Sequence, residues 1–187
     1  MRLFVAVNLP EAVRIAAWNS AAPLRDAGFP VKWVGPDALH LTLKFLGEVG
    51  SERQAEIQDA VSAATSGATR FVLPLSGFGV FPNPRRAHVI WLGCESVGEL
   101  ELLQHRVEQQ MAEIGFPLEG RPFHPHLTLG RVRRDARPAS LSGLDDLLQR
   151  LQFHSQSVVE SVDLMLSELS RAGARYTRLH CAKLDAR

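Results

Sequence analysis

The sequence predicts an α+β fold with antiparallel sheets, built as an internal duplicate. Three observations carry this expectation. Strand-period and helix-period segments alternate along the chain. Some neighbouring strands are joined by hairpin-like steps too short for parallel crossovers. The order strand–helix–strand–helix–strand occurs twice, at nearly constant spacing.

Residues 2–9 (RLFVAVNL) read as the first strand. Pro10 opens a helical stretch over 11–28, in which Pro23 is placed to force a break. Residues 31–34 make a short strand. HLTLKFL at 40–46 alternates as a half-buried strand does, and Ser51 ahead of Glu52 is expected to cap a helix reaching about Ala64. Residues 70–81 and 87–93 fit two strands joined at Pro82-Asn83-Pro84. The second half follows with a helix over 97–114, a strand over 126–133, a helix over 139–150, and strands near 157–168 and 175–183.

The spacing repeats with the order. Phe4 to His40 is 36 residues and Val89 to His126 is 37, while His40 to Leu75 is 35 and His126 to Val162 is 36. One domain over 1–187 is expected, with a repeat of approximately 1–85 and 86–187, each copy carrying one HLTL.

Composition narrows the function classes. A chain of 187 residues that is 45% hydrophobic and 22% charged can bury a sizeable core and is not a disordered tail. A net charge of +1 gives no overall attraction for wrapping duplex nucleic acid, so an anionic substrate must be met locally. Arginines 121, 131, 133, 134 and 137 stand against a single acid, Asp135, and form a candidate phosphate-facing patch. Cys94 and Cys181 show no CxxC and no zinc-ligand spacing, so a disulfide framework is not expected. With no signal-peptide pattern and no run of roughly 18 apolar residues, the expected location is cytoplasmic, without a membrane partner.

The chemistry is concentrated in HLTL, which occurs at 40–43 and again at 126–129. None of the other histidines has threonine two residues later, whereas chance would give about 0.2 such pairs in the whole chain. In a strand, His40 and Thr42 share one face, as do His126 and Thr128, while the leucines anchor the other. Two imidazoles brought together suit in-line displacement at phosphorus. One, neutral, takes a proton from water; the other, as imidazolium, protonates the departing oxygen. The threonine hydroxyls can donate to phosphate oxygens. The competing reading of a single His-x-Thr is a packed, hydrogen-bonded pair; a second copy at the equivalent repeat position argues against it.

Arg131, five residues after His126, is a candidate phosphate clamp, although odd spacing puts it on the opposite face unless a bulge at Gly130 re-aims it. Its counterpart in the first copy, Phe45, is a candidate core residue. His124 and His126 lack further ligand partners, so no metal is assigned. Cys94 reads as a buried small hydrophobe. Neither GFG at 77–79 nor any other segment makes a nucleotide-cofactor loop, so no cofactor is expected.

HLTLKFLGE at 40–48, HPHLTLGR at 124–131, RLFVAVNLP at 2–10 and FGVFPNPRRAHVIWLG at 78–93 together resemble the two-histidine (2H) phosphoesterases, and among them the RNA 2',3'-cyclic phosphodiesterase/2'-5' RNA ligase family. The resemblance implies a bilobal fold with two antiparallel sheets flanked by helices around a central cleft, and hydrolysis of RNA 2',3'-cyclic phosphate ends to 2'-phosphomonoesters. It puts His40 on the proton donor, His126 on the proton acceptor, Thr42 and Thr128 on phosphate contacts and Arg131 on the arginine after the second motif. His88 departs from the arginine often found ahead of the V-[IL]-W strand. The expected partners are RNA ends or small cyclic nucleotides, met by a monomer. Two other readings stay open. One is 2'-5' ligation by the reverse reaction, disfavoured because water at about 55 M outcompetes an RNA hydroxyl; the other is an RNA-end-binding module without turnover.

Overall fold

A run of five buried residues, 3–7, needs cover on both faces of its strand, and this dictates a central position for β1 (Arg2–Asn8). The computed structural model, which describes residues 1–170 and 173–186, places β1 between β3 (His40–Glu48) and β8 (Ser161–Ser170), antiparallel to both. β9 (Gly173–Lys183) continues this lobe on the far side of β8. The other lobe runs β6 (His126–Val132), β5 (Val89–Cys94), β4 (Phe71–Phe81) and β7 (His154–Val159), again antiparallel throughout. The short β2 (Val31–Trp33) adds to β6 beside β5 and β3.

The two lobes meet where β3 pairs with β6, at Leu41 and Leu127, so the ladder is formally continuous. Each lobe draws strands from both halves of the sequence. β4, from the first half, pairs with β5, whereas β8, from the second, pairs with β1. The repeats are therefore interlocked.

Helices cover the face opposite His40 and His126. α3 (Gln54–Thr65) packs on β8 and β9 and against α4 (Gly98–Glu113), which lies on β3. α1 (Glu11–Ser20) approaches β7, while α5 (Leu144–Arg150) packs on β4 and on α2 (Ala22–Asp26). Beneath them one apolar core runs through both lobes, from Leu3, Val5 and Leu41 to Leu92, Leu127 and Leu144. Phe4, Ala6 and Met165 form a second, small cluster on the other face of the first lobe, with Tyr176 against it.

Several boundaries differ from expectation for local reasons. The first helical stretch breaks at Ala21 rather than at Pro23, because proline fits the first turn of the new helix. Ser51 caps nothing through its side chain; it begins a 3-10 turn over Ser51–Arg53 that leads into α3. The single strand expected near 157–168 is two strands separated at Glu160, where the chain passes from one lobe to the other.

Lys44 and Glu108 form a buried ion pair at 2.5 Å, tying β3 to α4. Lys44 also donates to the Pro117 carbonyl, and Glu108 accepts from the Glu119 amide, so both charges are hydrogen-bonded.

Candidate active site

The site is built by the same irregularity in both copies of the motif. Along β1 and β3, Ala6 faces Thr42 but Val5 faces Lys44, leaving Leu43 as an extra residue. Along β5 and β6, Trp91 faces Thr128 but Ile90 faces Gly130, leaving Leu129 extra. A bulge reverses the alternation beyond it. Phe45 and Arg131 thereby come onto the face that carries His40, Thr42, His126 and Thr128, while Lys44 turns to its buried partner. This supplies the re-aiming that Arg131 needed. It also corrects the reading of Phe45 as core: its side chain is 66% exposed. At Gly130 a Cβ would lie 2.5 Å from Val31 Cγ1 and 2.8 Å from the Trp33 ring, so β2 can cover the bulge only with glycine there.

Leu41 and Leu127 hold the same place in the two motifs, so a local two-fold axis passes between them. In the antiparallel register this pair sets, His40 faces Thr128 and Thr42 faces His126. Both imidazoles are held alike. His40 Nδ1 donates to the Ala38 carbonyl at 2.9 Å, and His126 Nδ1 to the His124 carbonyl at 2.6 Å. A carbonyl only accepts, so the neutral ring carries its proton on Nδ1 and its lone pair on Nε2.

Aromatic rings wall each imidazole. His40 lies 4.8 Å from Phe4 and 4.9 Å from Tyr176, which is edge-on; His126 lies 5.0 Å from Phe81, also edge-on, and 6.4 Å from Trp91. Trp91 in turn covers Gly79, where a Cβ would come within 2.2 Å of its ring. This burial pushes the His40 pKa down to about 4, assisted by the charges of Arg131 and His126 and opposed by the Ala38 carbonyl. His126 is lowered too, first by burial and then by Arg131 and His124. One guanidinium thus acts on both rings. Neither threonine hydroxyl is engaged by another side chain or backbone group among the described residues.

His40, Thr42, His126, Thr128 and Arg131 therefore share one face at the junction of the lobes. The four aromatic neighbours were not singled out from sequence. Trp91, opposite Thr128 on β5, follows from the strand pairing, but Tyr176 reaches His40 only through the lobe exchange. Cys94 is buried, and its thiol is pushed up to about 12, as suits a packing residue. Among the described residues no three His, Cys, Asp or Glu side chains gather as a metal-ligand group, and no helix is long and apolar enough to cross a membrane.

A family model, the 2'-5' RNA ligase superfamily, matches residues 13–171. The chain belongs to this superfamily. An RNA 2',3'-cyclic phosphodiesterase of Methanothermobacter thermautotrophicus is 38% identical over 184 residues, which cover 98% of this chain and 99% of the relative. Its Escherichia coli namesake is 33% identical over 181 residues, covering 95% and 93%. Among crystal structures, a Thermus thermophilus protein aligns with a TM-score of 0.79 at 32% identity over 98% of both chains. E. coli LigT complexed with 3'-AMP aligns with a TM-score of 0.76 at 30% identity, over 98% of this chain and 97% of the other. The two-histidine phosphoesterase fold and family are thus those of this superfamily member.

Proposed function

We propose that this chain hydrolyses RNA 2',3'-cyclic phosphate ends to 2'-phosphomonoesters, using His126 as proton acceptor and His40 as proton donor. The carrying observation is the pair of HLTL strands joined at Leu41 and Leu127, with both Nδ1 atoms tied to backbone and both Nε2 atoms left for chemistry. The names of the archaeal and E. coli relatives support the same reaction.

Water attacks phosphorus as neutral His126 Nε2 accepts its proton. The P–O3' bond breaks in line, and His40 Nε2–H protonates the leaving oxygen. Arg131 and the hydroxyls of Thr42 and Thr128 balance the non-bridging oxygens. The phosphate anion opposes the charge of Arg131 and raises both imidazole pKa values, so His40 takes up its proton with substrate in place. Acid, base and clamp are all side chains of one chain, which supports metal-independent catalysis by a monomer.

The test is mass spectrometry of the product from a short RNA with a cyclic end, incubated in EDTA. A gain of one water with the phosphate on O2' is expected. An unchanged cyclic end, or a joined RNA when a 5'-hydroxyl strand is added, would overturn the reading in favour of binding or ligation.

A further inference from the structure

A cyclic phosphate closes the 3' end of a strand, so a single chain must leave the site in the 5' direction. The local two-fold axis offers two equivalent exits, one beyond Phe45 on β3 and one beyond Arg131 on β6. Their charges differ. Beyond Phe45, acids stand among the cations: the N-terminal amine bridges Glu48 at 3.6 Å, and Arg2 and Arg175, neither in an ion pair among the described residues, face Glu48 and Glu168 across their ladders. Arg178, on the same lobe, pairs with buried Asp163 at 3.8 Å.

Beyond Arg131 the balance is reversed. Lys32 faces Arg131 across β2 and β6, and both side chains are exposed. Arg133 and Arg134 follow in the chain, and Arg137 leads into the 3-10 turn Pro138–Leu141. That turn packs against a second, Pro84–Arg86, which brings Arg85 and Arg86 to the same end. All of these arginines are exposed, and among the described residues none is in an ion pair, with Asp135 and Asp145 the nearby acids in sequence and groove. An open groove of ≈ 880 Å³ lies between the turns, lined by Asn83, Pro84, Arg85, Ser142 and Asp145 among others.

We propose that the RNA strand leaves the site across this end, its 5'-ward phosphates carried by Arg133, Arg134 and Arg137 with Arg85 and Arg86, so that the chain is built for RNA ends rather than for free cyclic nucleotides. This rests on the proposed hydrolysis and adds the direction in which the strand leaves and the surface that carries it. The exit beyond Phe45, where Glu48 and Glu168 stand opposite the arginines, offers a polyanion less attraction. None of the five arginines is assigned to the reaction, so a mononucleotide senses none of them.

The experiment compares a six-nucleotide RNA ending in a 2',3'-cyclic phosphate with a 2',3'-cyclic mononucleotide, on wild type, R133Q/R134Q/R137Q, R85Q/R86Q and, for the other exit, R2Q/R175Q. For RNA, KM is expected to rise at least about fivefold in the first two variants, and log KM to depend less steeply on log salt by about 0.7 for each phosphate no longer neutralised. Mononucleotide kinetics, and all values for R2Q/R175Q, stay at wild type. Unchanged RNA parameters in both variants, parallel losses on the mononucleotide, or an equal loss in R2Q/R175Q would overturn the proposal and leave the hydrolysis reading standing. If wild type turns over neither substrate, the hydrolysis reading fails instead, and anisotropy of the labelled RNA then decides the surface: binding abolished in R133Q/R134Q/R137Q supports it and binding retained overturns it.

Discussion

Leu41 and Leu127 are cross-strand partners at the junction of the two lobes, and they occupy the same position in the two copies of HLTL. Both are buried to within 1% exposure, on the face opposite the imidazoles. The spacing of the two rings is therefore set by apolar packing behind them. Leu127→Ala is expected to cost about 2–5 kcal/mol of stability and to lower kcat beyond any change in KM, because the rings lose their common support. Denaturant unfolding and steady-state kinetics together check this; a destabilised variant with unaltered kcat would show that the leucines only fill space.

The acidities give a pH signature. His126 must be neutral to accept and His40 charged to donate, while burial first, and Arg131 second in the direction of lowering, hold both below the usual imidazole value in the free cleft. The pH profile of kcat/KM, which reports the free enzyme, should be a bell centred on the acid side of 6.5, the ordinary value. Bound phosphate raises both pKa values, so the kcat bell should lie to its alkaline side. Coincident bells centred above neutrality would contradict the burial argument.

Arg131→Met removes the one cation that acts on both rings while keeping much of the stem. NMR titration of the two imidazoles should give higher pKa values in this variant, and KM should rise as the phosphate loses its clamp. Imidazole titrations unmoved by the substitution would mean that the guanidinium points away in solution.

The threonines each offer one hydroxyl to the phosphate. Thr42→Val and Thr128→Val keep the shape, and each should lower kcat/KM by the equivalent of about 1–3 kcal/mol, or about 5–160-fold. Losses above those of the histidine variants would assign the hydroxyls to orienting the rings instead.

Much of this was legible in the sequence, because side-chain alternation and a repeated motif are local properties. His-x-Thr puts two polar groups on one strand face whatever the tertiary fold, and the 35–37-residue spacing marks equivalent strands. Position relative to a bulge is less local. Lys44 and Phe45 read as ordinary alternation until the extra residue at Leu43 turns one into a buried ion pair and the other toward solvent. The separation at Glu160 carries no glycine or proline, since both flanking strands keep period two while changing partners. Tyr176 reaches His40 only through that exchange, so no window of sequence shows it.

The most direct test of the paired-imidazole account is the rate of His40→Ala and His126→Ala on two substrates, a natural 2',3'-cyclic end and a phosphodiester with p-nitrophenolate as leaving group. Each variant should lose at least about 100-fold on the cyclic end while retaining its fold by circular dichroism. On the activated ester His40→Ala should recover most of its rate, since that leaving group needs no proton, whereas His126→Ala should not. Rescue of His126→Ala instead would exchange the two roles. Retention of more than about a tenth of wild-type activity on the cyclic end by either variant would contradict acid–base catalysis by this pair.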